Sequence, residues 1–158
     1  MSSESPERPR APRILVDTNG WFLPVRSGTD LLGEVERLLP GVRLLVPSPV
    51  LRELERLDAR RVAGAAVALD LARRALEFRC EGTGDQAVFD AAVRSRAWVL
   101  TADRGLADRL RAAGLGVVVP RDRTRLVAHG PGPPHPGPAT VKKRPPVGNS
   151  PRRNRSAP

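Results

Sequence analysis

Four acidic side chains lie far apart in the chain at places where a fold could bring them together: Asp17, Glu53, Asp85 and Asp103. Asp17 follows the short apolar run 14–16, which is typical of a strand buried on both faces. Asp103 follows a similar run at 98–101. Both acids are therefore expected at the carboxyl ends of strands, where open α/β sheets place their ligands.

Converging carboxylates would favour a bound cation. Two of them about 4 Å apart repel by roughly 1 kcal/mol in water and about 4 kcal/mol at an effective dielectric of 20, so the cluster must protonate, separate or bind metal. Oxygen ligands without His or Cys favour Mg²⁺ or Mn²⁺ over Zn²⁺. Such ions activate water and neutralise charge on phosphoryl oxygens, and the predicted chemistry is hydrolysis of a phosphodiester.

The helix that begins at Pro47-Ser48-Pro49 offers two acids for this cluster. Ser48 is a candidate N-cap and Pro49 fits the first helical position. At about 100° per residue, Glu53 and Glu55 fall on opposite shoulders of the apolar stripe. Periodicity does not choose between them.

The helix that begins at 85 places Asp85 at the margin of its buried arc, which includes Phe89, whereas Gln86 and Asp90 point away. Asp85 could instead be an N-cap, a role worth about 1 kcal/mol, and Asp103 could cap the helix after it in the same way.

Strands and helices alternate along the chain. Strands are predicted at 14–17, 42–46, 76–79, 98–101 and 116–119, with a last short one near 125–127. Helices are predicted at 29–39, 48–58, 62–74, 85–96 and 104–113, and a turn is predicted at Asn19-Gly20. This order predicts βαβ units and a three-layer α/β/α fold with a mostly parallel sheet of roughly five strands.

The acids and their surroundings together resemble the PIN domain family. The resemblance rests on Val16-Asp17-Thr18-Asn19, Val50-Leu51-Arg52-Glu53-Leu54, Gly84-Asp85 opening a helix, and Leu100-Thr101-Ala102-Asp103-Arg104, and it covers about residues 13–128. Members of that family, which includes VapC-type toxins and ribosome-processing enzymes, are metal-dependent nucleases that often act on RNA.

Carried over to this sequence, the resemblance implies that the catalytic, metal-binding residues are Asp17, Glu53, Asp85 and Asp103. It implies that Thr18, Asn19 and Thr101 are supporting polar residues. It also favours Glu53 over Glu55. The implied cofactor is Mg²⁺ or Mn²⁺ and the implied substrate is RNA, with DNA not excluded; an antitoxin or other protein partner and a homodimer follow from the resemblance alone.

One departure from the family pattern concerns the residue after Asp85. Relatives with this Gly-Asp opening often carry a second Asp, and here the position is Gln86. An amide there would supply a weaker ligand for Mg²⁺. The alternative function is therefore a non-catalytic PIN-like module that binds RNA or a protein partner.

Basic residues are the candidates for binding the polymer. Arg52 and Arg104 lie next to the predicted acids, and a guanidinium can contact phosphate with two hydrogen bonds. No aromatic platform for stacking bases is evident, and Trp21 is better explained as a packing group.

Composition divides the chain into three segments. The protein has 158 residues and a net charge of +10, and residues 129–158 carry six Lys or Arg, nine Pro and no acid. This segment is predicted to be a disordered basic tail, either an arm for nucleic acid or a solubilising extension. Residues 1–12 are predicted to be a flexible leader. The single cysteine and the lack of a long apolar stretch predict a cytoplasmic protein.

Overall fold

The computed structural model describes residues 11–131, which form a six-stranded sheet with six helices. The strands are β1 (Arg13–Val16), β2 (Arg43–Pro47), β3 (Leu76–Phe78), β4 (Trp98–Leu100), β5 (Val117–Pro120) and β6 (Leu126–His129). The helices are α1 (Thr18–Ser27), α2 (Leu31–Leu38), α3 (Ser48–Ala59), α4 (Ala65–Arg73), α5 (Gly84–Ser95) and α6 (Arg104–Ala112). The predicted tail lies outside the described residues from 132 onwards.

The sheet has the order β3-β2-β1-β4-β5-β6 and is parallel except for β6, which runs antiparallel to β5. The prediction of a three-layer, mostly parallel α/β fold is confirmed, and β6 corresponds to the last short strand predicted near 125–127. Strands β1 and β4 are neighbours, with Val16 opposite Leu100. Their carboxyl ends therefore meet, and Asp17 and Thr101 follow them at the same edge.

The core lies between the sheet and its helices. The aliphatic residues of the two central strands, β1 and β4, are fully buried, as are large side chains such as Trp21, Phe22 and Leu54. The indole N–H of Trp21 donates to the carbonyl of Val16 over 3.0 Å. Trp21 is thus a packing residue. Within the described residues, no helix has the length and apolar character that crossing a membrane requires.

Helix α1 corrects the prediction of a turn at Asn19-Gly20. The helix begins at Thr18, and the carboxylate of Asp17 caps it by accepting from the Gly20 N–H at 2.8 Å. Gly20 and Pro24 both lower the helix propensity of this segment, so the local sequence does not predict the helix. Gly20 is required by packing, because a Cβ there would lie 2.6 Å from Val16 Cγ1.

Two candidate helix caps, Ser48 and Asp85, are not the N-caps of their helices. Ser48 lies inside α3, whose N-cap is Pro47, and its hydroxyl donates instead to the Glu77 carboxylate at 2.8 Å. Asp85 lies in the first turn of α5, after the N-cap Thr83. Asp103 does cap α6, since its carboxylate accepts from the Leu106 N–H at 3.0 Å.

Strand β6 is attached to helix α2 through Glu34. The Glu34 carboxylate accepts from the Leu126 backbone N–H at 3.0 Å and forms an ion pair with Arg37 at 2.9 Å. The hydrogen bonds from Arg37 and Leu126 lower the pKa of Glu34 from 4.5 to about 2. The ionised carboxylate therefore stabilises the attachment of this edge strand.

We expect Glu34→Gln to lower the free energy of unfolding by about 1–2 kcal/mol, because hydrogen bonds to a charged acceptor are lost or weakened. A lowered carboxyl pKa stabilises the fold above pH 4.5, and this contribution is lost as the pH falls towards 2. Urea unfolding between pH 2 and 7 should therefore show a smaller loss of stability in acid for the variant. Equal pH dependence of the two proteins would contradict this role.

Candidate functional site

Asp17 lies at the centre of the sheet edge and is 8% exposed. Burial is the largest effect on its carboxyl group and raises the pKa from 3.8 to about 6. Hydrogen bonds from Thr101 and Gly20 act in the opposite direction, and the negative charges of Asp85 and Asp103 raise it further. The structure therefore brings Asp17, Asp85 and Asp103 within electrostatic range of one another.

Thr101 connects two of these acids. Its side chain is fully buried, its hydroxyl donates to the Asp17 carboxylate, and the same oxygen accepts from the Asp103 backbone N–H at 3.0 Å. One hydroxyl thus fixes the carboxylate of Asp17 relative to the start of α6.

Asp85 and Asp103 form the second pair of acids. Their carboxyl groups interact directly, and the repulsion between two ionised carboxylates at such a site favours a shared proton or a bound cation. Burial and the contact with Asp103 raise the pKa of Asp85. The Leu106 N–H and the contact with Asp85 lower the pKa of Asp103.

Helix α3 presents Glu53 to the same site. The Thr18 hydroxyl donates to Glu53 Oε1 at 2.8 Å. Glu55 instead faces α4, where its carboxylate is 3.6 Å from the Arg73 guanidinium, and 46% of its side chain is exposed. The structure therefore distinguishes the two glutamates that periodicity left equivalent.

Gln86 points away from the acids, as the helical arc of α5 predicts. Its amide nitrogen donates to Asp90 at 2.9 Å and its amide oxygen accepts from Arg109 at 3.1 Å. The Arg109 guanidinium also lies 4.4 Å from the centre of the Phe89 ring, and its charge lowers the pKa of Asp85. Gln86 thus helps to hold the Arg109 guanidinium near Asp85.

A cavity of about 230 Å³ lies at this edge, between α3 and α5; we call it the acidic pocket. Its lining is formed by Asp17, Thr18, Asn19, Pro49, Val50, Glu53, Gly84, Asp85 and Val88. Asp103 is not part of the lining and joins the cluster through its contact with Asp85. The Asn19 amide oxygen accepts from Arg26 at 3.2 Å.

The acidic pocket fits a hard divalent cation in the chemistry of its donors, which are carboxylate and hydroxyl oxygens. The raised pKa values of Asp17 and Asp85 show the electrostatic cost that a cation would relieve. Within residues 11–131, however, no three or more His, Cys, Asp or Glu side chains are grouped as a metal site.

The two arginines predicted to bind substrate lie on different surfaces. Arg52 lies on α3 next to Glu53 but lines a different cavity, a groove beside the acidic pocket. Arg104 lines a separate depression beside β5 and β6, together with Arg111 and Arg121. The sequence predicts both beside the acids only because Arg52 precedes Glu53 and Arg104 follows Asp103 in the chain.

Comparisons with known proteins agree with the fold. A sequence model for a family described as a PIN like domain matches residues 14–123. The structure of the PIN domain endonuclease Utp24 is similar, with a TM-score of 0.64 and 20% identity over 75% of this chain and 91% of that one. A domain of a functionally unknown protein from Methanocaldococcus jannaschii has a TM-score of 0.55 and 15% identity over 74% and 96%. No curated protein matches the sequence.

Proposed function

Because this chain belongs to the PIN-like domain family, we propose that it is a metal-dependent nuclease that hydrolyses RNA phosphodiesters at the acidic pocket. The observation that carries the proposal is the convergence of three acids with Glu53 in the same cavity: Asp85 and Asp103 both raise the pKa of Asp17, and each shifts the pKa of the other. The endonuclease Utp24, which has the same fold, supports the reaction class.

The proposed cofactor is Mg²⁺ or Mn²⁺, held by Asp17, Glu53, Asp85 and Asp103. When bound, it would supply activation of water and neutralisation of charge on the phosphoryl group. The protein's own contribution is to hold its carboxylates in place before substrate arrives. The Thr18 hydroxyl orients Glu53, and the Thr101 hydroxyl and the Gly20 N–H orient Asp17.

The proposal names a substrate but no protein partner. RNA is the proposed substrate, and a DNA strand of the same sequence is the comparison that tests it. An antitoxin and a second copy of the chain remain predictions of the family resemblance.

Glu53 and Glu55 provide a matched test of the proposal, since they lie two residues apart on α3 but face different surroundings. We expect Glu53→Gln to slow cleavage of labelled single-stranded RNA in Mn²⁺ by about 10²–10³-fold, as for other groups that stabilise developing charge. Glu55→Gln should cleave at the wild-type rate, and EDTA should abolish cleavage. Equal rates for the two variants would remove Glu53 from the site.

The second candidate function is an RNA-binding module without catalysis. The observation in its favour is that the carboxylates of residues 11–131 are not grouped as a metal site. This candidate predicts that wild-type protein binds the RNA with and without Mn²⁺ and leaves it intact. Cleavage that requires Mn²⁺ excludes it.

A further inference from the structure

A second cavity adjoins the acidic pocket along the same two helices. It has a volume of about 840 Å³, in the range of ligand sites, and we call it the α3–α5 groove. On α3, Arg52 lines the groove and the next residue, Glu53, lines the acidic pocket; on α5, Phe89 lines the groove and Val88 lines the pocket. A ligand that extends from the acidic pocket between these helices therefore enters the groove.

Three arginines converge on the groove: Arg52, Arg79 and Arg94. Burial raises the pKa of the Cys80 thiol in the groove, and the positive charges of Arg94 and Arg52 oppose this effect, which places both guanidinium groups near one point. In the described part of the chain, none of the three forms an ion pair with a carboxylate. Arg94 also packs over the Phe78 ring, with its guanidinium carbon 5.3 Å from the ring centre, and its N–H groups, like those of Arg52 and Arg79, can donate to an anionic ligand.

The apolar part of the groove includes Phe89 and Val93. Phe89 is half-buried, with Arg109 against its ring, and Val93 is 45% exposed. An exposed apolar surface beside free guanidinium groups suits a ligand with both a flat ring and phosphates. Unpaired bases pack on such surfaces, whereas the bases of a duplex are stacked on one another and are not accessible in this way.

Three acidic residues also line the groove, and two of them accept hydrogen bonds from neighbouring side chains. Glu77 accepts from the Ser48 hydroxyl and Asp90 accepts from the Gln86 amide. Glu81 also lines the groove and forms no salt bridge among residues 11–131. A carboxylate of this kind can accept hydrogen bonds from the amino or imino groups of a base.

We propose that the α3–α5 groove binds the unpaired nucleotides that flank the cleaved bond, with Arg52, Arg79 and Arg94 on their phosphates and Phe89 and Val93 against a base. This inference rests on the proposed function for its substrate class. It adds a binding site next to the acidic pocket and a requirement for a single strand.

Binding of a short 5′-labelled single-stranded RNA to the full chain in EDTA, followed by fluorescence anisotropy, tests the groove without any cleavage. We expect the double variant R79A/R94A to bind roughly tenfold more weakly. The slope of log K against log salt should also become shallower by about 1.4, since each phosphate contact on a single strand contributes about 0.7. The matched control R121A/R123A, which removes the same charge from the opposite end of the sheet, should change neither quantity.

A second pair of variants tests the apolar surface. Val93→Asp adds a negative charge to the groove at an exposed position, so the protein should fold, and it should weaken RNA binding about tenfold. Val67→Asp makes the same change on α4, where Val67 is 52% exposed, and should have no effect. A duplex of the same sequence should bind wild type and both variants equally.

The results separate this inference from the proposed function. If R79A/R94A and Val93→Asp bind like wild type, or if the controls lose as much affinity, the groove is not the binding site, whether or not the wild type cleaves RNA. If the groove variants lose affinity but the wild type leaves RNA intact in Mn²⁺, the groove stands and the nuclease proposal fails.

Discussion

Asp17→Asn is expected to reduce RNA cleavage in Mn²⁺ by about 10²–10³-fold and to make the metal-free protein more stable. Both effects arise because the Asp17 carboxylate is buried close to the carboxylates of Asp85 and Asp103. The negative charge that would hold a cation is the same charge that the folded protein tolerates poorly without one. Cleavage of labelled RNA and urea unfolding in EDTA measure the two effects separately.

The stability effect has a defined pH range. The pKa of Asp17 rises from 3.8 to about 6 on folding, so the folded protein binds more protons than the unfolded chain between these values. The stabilising contribution of the protonated group is present below pH 3.8 and is lost as the pH rises through 6. Above pH 6 the ionised group costs up to about 3 kcal/mol, because a difference of one in pKa between the folded and unfolded states corresponds to 1.36 kcal/mol. Asparagine avoids this cost and can still accept from the Gly20 N–H.

Asp17→Asn should therefore be more stable than wild type at pH 7.5 in EDTA, and the difference should disappear near pH 4. Mn²⁺ should stabilise the wild type more than the variant, because a ligand that binds only the folded state adds to its stability. Asp108→Asn on α6, outside the acidic pocket, is the matched control. Full cleavage by Asp17→Asn would remove Asp17 from the active site.

Thr101→Val is expected to lower both the stability of the fold and the rate of cleavage. Valine has nearly the same shape but leaves the Asp17 carboxylate and the Asp103 N–H without a hydrogen bond that Thr101 provides. The free energy of unfolding should fall by about 1–3 kcal/mol. Cleavage should slow by about 10–100-fold, the range seen when groups that orient metal ligands are removed.

Thr101→Ser separates a positioning role from a purely structural one, because it keeps the hydroxyl and loses a methyl group. Serine should restore most of the cleavage rate even though it leaves a small cavity in the core. Valine should reduce kcat with little change in KM, since Thr101 does not reach the substrate. A serine variant as slow as valine would show that the methyl packing, and not the hydroxyl, is what the site requires.

The order of elements was predictable because it depends on local patterns. Short aliphatic runs separated by helical stretches with Pro and Gly boundaries predict a parallel sheet, and the sheet is present with β1 and β4 adjacent. Asp103 was recognised as a cap in the same way. Helix α1 was missed because Gly20 and Pro24 disfavour a helix locally, while the Asp17 cap and the close packing against Val16 support it.

Asp17 and Asp103 were predicted at this sheet edge from the sequence, since an acid at the end of a buried strand is a local feature. The choice between Glu53 and Glu55 needed the family resemblance. The structure adds a physical difference, because Glu53 accepts from the Thr18 hydroxyl whereas Glu55 lies beside the Arg73 guanidinium. The role of Gln86 also appears only in the folded structure, where its amide oxygen accepts from Arg109 and so joins α5 to α6.

The amino-acid sequence by itself determined the strands, every helix except α1, and the acids at the ends of β1 and β4, because hydrophobic periodicity and capping act over a few residues. Only the tertiary structure decided which side chains meet. The α3–α5 groove combines Arg52, Arg79 and Phe89 from separate segments, and the pKa of Asp17 depends on its burial and on residues more than 60 positions away. Electrostatic and packing interactions act through space, so they appear only once the chain has folded.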